Sequence, residues 1–272
     1  MSIAPLFTNS ESKQSFLDAF MISEFDFNRS MYSLDSLNSI YLDFMNRYDS
    51  LKKIISNIEF KLKECSKVHS SSARLKDPKH LIEKVIRKTN GKGTRFSSEN
   101  YHQHITDLMG IRLLYVFKED FPEIHDFIIS NFGSKVIEKI ACYRKGDKTQ
   151  VYSEKGLDLQ ERNGYRSVHY VIDTGNHFCC EVQVRTLTEE AWGEMDHAIR
   201  YPYNKDDPKL TMFDDIMSNL TGTLDDLSSF AYNFLTNSKK NSESGVTFGQ
   251  ILTEFLNSPK VKDSVKNCSQ FL

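Results

Sequence analysis

"NGYRSVHYVIDTGNHFCCEVQVRT", residues 163–186, alternates polar and apolar side chains on either side of a break at Thr174-Gly175-Asn176. Tyr165, Ser167 and His169 share one parity with Glu181, Gln183 and Arg185. Val168, Tyr170 and Ile172 share the other with Phe178, Cys180, Val182 and Val184. Side chains alternate faces along a strand, so the stretch reads as two strands, each with an apolar and a polar face. For the faces to agree across a hairpin, paired residue numbers must have an even sum, which predicts a three- or five-residue loop. His169 is then expected near Glu181, and Ser167 near Gln183. On this hairpin alone, the polar face reads equally as a solvated surface or as a site.

Outward from the hairpin the grammar is mixed. "GIRLLYVF" (110–117) is strand-like, residues 121–130 suit a helix, and "LTEEAWGEMDHAIR" returns to helix after the hairpin. "DPKHLIEKVIRKT" reads as a helix with Asp77 as N-cap and Pro78 at its first position. Residues 144–162 read as a charged loop, and "SKVIEKIACY" before them fits helix or strand. Two longer helices bracket this middle. Leu34, Leu37, Tyr41, Phe44, Tyr48, Leu51, Ile55, Ile58 and Leu62 alternate spacings of three and four, a heptad seam. Phe213, Ile216, Leu220, Leu224, Leu227, Ala231 and Phe234 form a second stripe. Residues 1–30 show no firm period and are expected as a loosely docked arm. The polar run 237–245 reads as a linker, with a short apolar helix around Ile251–Leu256 after it. The expected fold class is α+β: a mixed sheet flanked by helices.

Composition bounds the chemistry. The chain has 272 residues, 39% hydrophobic and 26% charged, with a net charge of −2, which argues against a general nucleic-acid coat. Its cysteines, Cys65, Cys142, Cys179, Cys180 and Cys268, are odd in number and form no CxxC pair. A disulfide framework or zinc site is not expected, and a reducing compartment fits. No basic start precedes an apolar core at the N-terminus, and no apolar run is long enough for a membrane span, so a cytoplasmic protein is expected.

Charge is concentrated locally. Between residues 74 and 95 stand Arg74, Lys76, Lys79, Lys84, Arg87, Lys88, Lys92 and Arg95 against only Asp77 and Glu83. Arg74 and Lys76 precede a helix N-terminus, whose backbone N–H groups favour anions, so a polyphosphate is the natural guest. Asp107, at the mouth of a strand beside Gly110, and Glu181 offer carboxylates from separate strands; converging, they could hold magnesium. Glu190, Glu194 and His197 fall at helical spacing and are read as structural, with Trp192 packing on the sheet.

Taken together, Ala73-Arg74-Leu75-Lys76, Lys84, Asp107 to Arg112, Asn163 to His169 and Glu181 to Thr186 resemble, in order, the motifs of RelA/SpoT-type alarmone synthetase domains. The resemblance covers residues 40–205. With no His/Asp-rich hydrolase segment upstream and no long C-terminal region in the sequence, it is with the small, single-domain synthetases. It implies a nucleotidyltransferase-like mixed sheet and transfer of pyrophosphate from ATP to the 3′-hydroxyl of GDP or GTP. Carried over by residue, Arg74, Lys76, Lys84 and Arg112 would bind the ATP phosphates, and Asp107 and Glu181 would hold Mg2+. Glu181 would also accept the proton of the attacking hydroxyl. Tyr165 would stack on the acceptor base, and His169, Gln183 and Arg185 would orient the carboxylate and phosphates. The two heptad-patterned helices, 34–62 and 213–235, are expected either to pack on each other or to mediate self-association, and small relatives of this family form homo-oligomers.

One departure bears on the acceptor. Many members carry a proline-lysine pair before N-G-Y, where this chain has Glu161-Arg162. Arg144, Lys145, Lys148, Lys155 and Arg162 all remain candidates for the acceptor's phosphates. The alternatives are a toxic relative that modifies adenine nucleotides or the 3′ end of tRNA, and a non-catalytic nucleotide-sensing module. The expected organisation is an arm (1–30), a synthetase core with its long N-terminal helix (31–205), a C-terminal helix (206–236), and a linker with a terminal helix (237–272).

Overall fold

The computed structural model describes residues 3–144, 148–162, 164–175, 178–200, 207–236, 247–257 and 262. Its centre is a six-stranded mixed sheet in the order β1-β2-β6-β5-β3-β4. The strands are β1 (Ser70–Leu75), β2 (Met109–Tyr115), β3 (Ala141–Tyr143), β4 (Leu159–Gln160), β5 (Ser167–Asp173) and β6 (Cys179–Thr186). β2 runs parallel to β6, while β1 lies antiparallel to β2 and β5 antiparallel to β6.

The hairpin forms as the alternation demands. β5 and β6 pair with an even residue sum, closing residues 174–178 between Asp173 and Cys179, of which Asn176 and His177 lie outside the described residues. His169 stands directly opposite Gln183 and reaches Glu181 on the diagonal; Ser167 meets Arg185. Val168, Tyr170, Ile172, Cys180, Val182 and Val184 are buried, and Ile111 and Leu113 of β2 extend the same apolar face.

Helices cover that face. α3 (Leu34–Leu62) starts at an N-capping Ser33 and packs on β1, β2 and α4 (Pro78–Lys92). Its seam residues Leu37, Phe44, Leu51, Ile55 and Leu62 are buried, each contributing about 1.5–3 kcal/mol of transfer free energy. Asp77 caps α4 by accepting from the Lys79 and His80 backbone N–H groups, with Pro78 at the first turn. α6 (Phe121–Phe132) buries Phe121, Ile124 and Ile128. Short α5 (Tyr101–His104) and α7 (Gln150–Ser153) complete the core. Residues 144–162, expected as a loop, thus contain α7 and β4. Four-residue and two-residue elements are too short to show a period.

The N-terminal segment is also better ordered than its sequence suggests. α1 (Ser10–Ala19) and α2 (Glu24–Arg29) are capped by Asn9 and Ser23, and Phe7, Phe16, Leu17 and Phe27 join the core. It is a docked pair of helices rather than a loose arm. Apolar residues spread over two short helices give no long period to read.

α8 (Leu187–Arg200) begins with a capping box. The Glu189 N–H donates to Thr186 Oγ1, and the Thr186 N–H donates back to Glu189 Oε2. α9 (Pro208–Thr236) packs on α8 with its polar face. Asp214 accepts from Trp192 Nε1, Ser218 donates to the Gly164 carbonyl, Asp225 accepts from Thr186 and Thr188, and Asp226 accepts from Lys118. The expected apolar stripe consequently faces outward: Phe213, Leu220 and Leu224 are 44%, 37% and 49% exposed. The α3 and α9 seams therefore do not bury each other. The expected linker (237–245) lies outside the described residues, and α10 (Phe248–Leu256) follows in the sequence. No helix among the described residues is long and apolar enough to cross a membrane.

Burial beside Glu189 pushes the Asp225 carboxyl from 3.8 up to about 7, against opposing bonds from Thr188 and Thr186 and the charge of Lys118. The folded state therefore holds this proton more tightly than the unfolded one, and stability falls as pH rises from 3.8 through about 7. Asp225→Asn should remove that slope. Urea midpoints of the two proteins should diverge in favour of the variant across this window; parallel curves would contradict the account.

Candidate active site

The register sets the open face of the sheet in rows. Arg74, Gly110 and Glu181 are aligned across β1, β2 and β6, and Val171 continues the row on β5. The next row is Ser72, Arg112, Gln183, His169 and Ala141; beyond it lie Leu114 beside Arg185 and Ser167 beside Tyr143. Five of the expected site residues thus converge through strand pairing alone: Arg74, Arg112, His169, Glu181 and Gln183. A Cβ added at Gly110 would meet Arg74 at an ordinary 3.9 Å, so the glycine is not forced by the fold; it keeps the floor beneath Arg74 open.

One pocket is lined by Ser72, Arg74, Asp107, Gly110, Ile111, Arg112, Glu181 and Gln183. Lys76 and Lys84 close its edge by pairing with Asp107 Oδ2 at 3.1 and 2.6 Å. Burial works to raise the Asp107 pKa, but these two ammonium groups outweigh it and bring it to about 2. Lys76 itself is held below its usual value, by burial first and by the Lys84 and Arg74 charges with it. Arg74 has no carboxylate partner among the described residues and stands exposed at the rim.

Glu181 lies between this pocket and the rest of the face. Its Oε1 contacts His169 Nδ1 at 3.1 Å, and its Oε2 accepts from Gln183 Nε2 at 2.8 Å. Burial tends to raise its pKa; the His169 and Gln183 contacts win and hold it below the usual carboxylate range. Asp107 Oδ1 is buried without a hydrogen-bond partner, on the same pocket as the Glu181 carboxylate. Two carboxylates, one oxygen of them orphaned, fit a hard cation that draws its other ligands from water and phosphate oxygens.

Across the face, Tyr165 sits among rings. Tyr143, His169 and Trp192 lie at centroid distances of 5.6, 5.7 and 6.2 Å, and the Arg185 guanidinium lies 5.1 Å over its ring. Arg185 is buried. It donates to Tyr165 Oη, to Gln183 Oε1 at 2.9 Å, to Ser167 Oγ at 3.3 Å and to Glu190 Oε2 at 2.9 Å. Its donors are thus used within the protein, one of them on the Tyr165 hydroxyl. Tyr143 is a residue the sequence reading missed, because a three-residue strand carries no alternation to find.

The cationic candidates for the acceptor separate cleanly. Arg144 is buried in an ion pair with Glu189, its guanidinium 3.8 Å over Tyr152, and cannot meet a phosphate. Lys155 is tied to Asp126 of α6 at 2.7 Å, and Lys148 lines a groove with Lys118 and Ser229 beside α9. Lys145, like Asn163, lies outside the described residues. Arg162 lies 5.7 Å over Tyr143, beside Tyr165. Of Glu190, Glu194 and His197, the two glutamates instead bind arginine: Glu190 holds Arg112 at 2.6 Å, and Glu194 pairs with it too. No group of three or more potential metal ligands occurs among the described residues. Trp192 is buried between the sheet and α9, as expected.

A six-stranded mixed sheet with long flanking helices and one polar face bearing cations, carboxylates and aromatic rings is the class of fold these features define. Residues 73–206 match the family model described as "Region found in RelA / SpoT proteins". Over that region, just under half of the chain, it is similar to RelA/SpoT proteins and resembles those of the small alarmone synthetase type. It is 22% identical over 197 residues to the GTP pyrophosphokinase YwaC of Bacillus subtilis, covering 66% of this chain and 85% of that protein. With the GTP pyrophosphokinase YjbM of the same organism it shares 24% over 153 residues, 53% of this chain and 62% of that one. Among solved structures, small alarmone synthetase 1 from Bacillus subtilis bound to its product pppGpp superposes with a TM-score of 0.52 at 19% identity. That match covers 70% of this chain and 99% of the other.

His169→Ala should raise the Glu181 pKa, because it removes the largest contact that lowers it. A carboxyl 13C titration of Glu181 reads this directly; an unchanged or lower value would show that Gln183 alone sets it.

Proposed function

We propose that the chain is a cytoplasmic, magnesium-dependent transferase that moves pyrophosphate from ATP to the 3′-hydroxyl of GDP or GTP, yielding (p)ppGpp. The observation that carries this is Glu181, a deprotonated carboxylate placed between a phosphate-sized cationic pocket and an aromatic acceptor surface on one sheet face. The RelA/SpoT-like region and the relatives named as GTP pyrophosphokinases support it. The structurally similar synthetase bound to pppGpp favours a guanine nucleotide.

The acceptor oxygen would attack the β-phosphorus of ATP; the bond from that phosphorus to the α,β-bridging oxygen breaks, and AMP departs with that oxygen. Arg74, Lys76, Lys84 and Arg112 would bind the donor phosphates, the electrostatic clamping on which such transfers depend. Lys76 and Lys84 would shift from Asp107 toward phosphate, leaving Asp107 to join Glu181 as a metal ligand. Magnesium, when bound, would supply positive charge against the transferred phosphates. Glu181, aimed by His169 and Gln183, would take the proton of the attacking hydroxyl. Its depressed pKa makes it a weak base, so its strength is placement rather than basicity. Tyr165, fixed by Arg185, would stack on the acceptor base, and Arg162 would reach its phosphates.

Incubation with ATP labelled in its β,γ-pyrophosphate and GDP, GTP, AMP, ADP or deacylated tRNA tests the reading. Label should enter GDP and GTP, and Glu181→Gln should lower transfer far more than tenfold, or about 1.4 kcal/mol in barrier, with little change in melting. Label in tRNA or adenine nucleotides would reassign the acceptor; no label anywhere would favour a non-catalytic nucleotide sensor.

We further propose that the outward stripe of α9 joins two copies of the chain. Leu220→Glu with Leu224→Glu should reduce a mass above 31.5 kDa, by light scattering, to that of the single chain. A wild-type mass already at 31.5 kDa at micromolar concentration would contradict it.

A further inference from the structure

α8 enters the site with carboxylates. Glu190 Oε1 accepts from Arg112 Nη1 at 2.6 Å, and its Oε2 accepts from Arg185 Nη1 at 2.9 Å. One side chain thus joins two guanidiniums carried by the parallel neighbours β2 and β6. Arg112 lines the phosphate pocket, whereas Arg185 holds the Tyr165 hydroxyl and lies over its ring. Glu194, one turn further on, pairs with Arg112 and is itself largely exposed.

The approach of α8 is built for this bridge. At Gly193 an added Cβ would come within 3.0 Å of Arg185 Nη1, tighter than a comfortable contact. A larger residue there would press on the guanidinium that Glu190 holds. Glu190 and Gly193 lie on one helix face, so α8 places a carboxylate and a gap side by side over Arg185.

Resting on the two-nucleotide reading above, we propose that Glu190 is a positioning residue for the acceptor side. It fixes Arg185, and through Arg185 the stacking ring of Tyr165, while competing with donor phosphate for Arg112. Arg185 is 5% exposed, so without Glu190 a buried guanidinium loses its only carboxylate partner among the described residues. Phosphate arriving at Arg112 displaces a carboxylate; a base arriving at Tyr165 relies on one. The two sides of the site therefore respond to Glu190 with opposite sign.

Glutamine is the discriminating substitution. It preserves shape but offers one acceptor oxygen and one NH2 donor, so it can serve only one of two guanidiniums. Calorimetric titration of Glu190→Gln should show GDP binding weakened by about tenfold or more, the scale of one charge-assisted hydrogen bond. Binding of α,β-methylene-ATP should be unchanged or tighter. Glu194→Gln, which touches Arg112 alone, should leave GDP binding unchanged. Exchange of the Arg185 Nε–H proton, followed by NMR without any ligand, should accelerate in Glu190→Gln and not in Glu194→Gln. Unchanged exchange, unchanged GDP binding, or equal weakening of both nucleotides in Glu190→Gln would overturn the proposal. Accelerated exchange in a protein whose wild type binds neither nucleotide would leave the guanidinium bridge standing, but overturn both the functional reading and the acceptor role given to Glu190.

Discussion

The parallel pairing of β2 with β6 is the constraint from which the site follows. Gly110 aligns with Glu181 and Arg112 with Gln183, and period-two alternation then sends all four to one face. A slip of one residue would exchange Glu181 and Gln183 for Val182 and Val184, burying carboxylate and exposing valine. The apolar face under α3, α4 and α6 forbids that slip, because its valines and isoleucines have nowhere else to be buried. Core packing and site geometry are consequently one decision, taken on opposite sides of the same strands.

Apart from Arg74 at the rim, the clustered cations of the open face are each matched by a carboxylate. Asp107 answers Lys76 and Lys84, while Glu190 and Glu194 answer Arg112, and Glu190 also answers Arg185. Cations clustered this closely would repel one another, and the carboxylates hold them apart in fixed places. A polyphosphate can replace a carboxylate as partner for these cations without the cluster having to assemble first. Pre-placed charge of this kind is what electrostatic stabilisation of a transferred group requires.

Much of this was legible in the sequence, and the reasons differ by element. The hairpin's parity gave its faces and an even register, and the Asp77-Pro78 cap gave the start of α4. The α3 seam appeared at its full length because three-four spacing over a long helix is hard to produce by chance. β1 and β3 were not visible: one opens on three serines just ahead of the charge cluster, and the other is three residues long. With β3 went Tyr143. Glu190 and Glu194 were read as structural without their arginine partners, since helical spacing shows that side chains share a face but not what that face meets. α9 is instructive. Its apolar stripe predicted packing on the α3 seam or self-association, and the first does not form, because Asp214, Ser218, Asp225 and Asp226 on the other face find buried partners in α8, the loop before Tyr165, β6 and Lys118 in the turn after β2. Periodicity locates stripes; it does not say which stripe faces inward when the polar one finds partners.

The central claim is that one sheet face of this chain receives a nucleoside triphosphate and its metal on the Asp107–Glu181 side and a second nucleotide on the Tyr165 side. A crystal structure with α,β-methylene-ATP, Mn2+ as an anomalous scatterer in place of magnesium, and GDP tests it most directly. The account predicts an anomalous peak within coordination distance of both Asp107 and Glu181, triphosphate among Arg74, Lys76, Lys84 and Arg112, and guanine against Tyr165. A metal peak away from either carboxylate, with Lys76 and Lys84 still bound to Asp107, would contradict it.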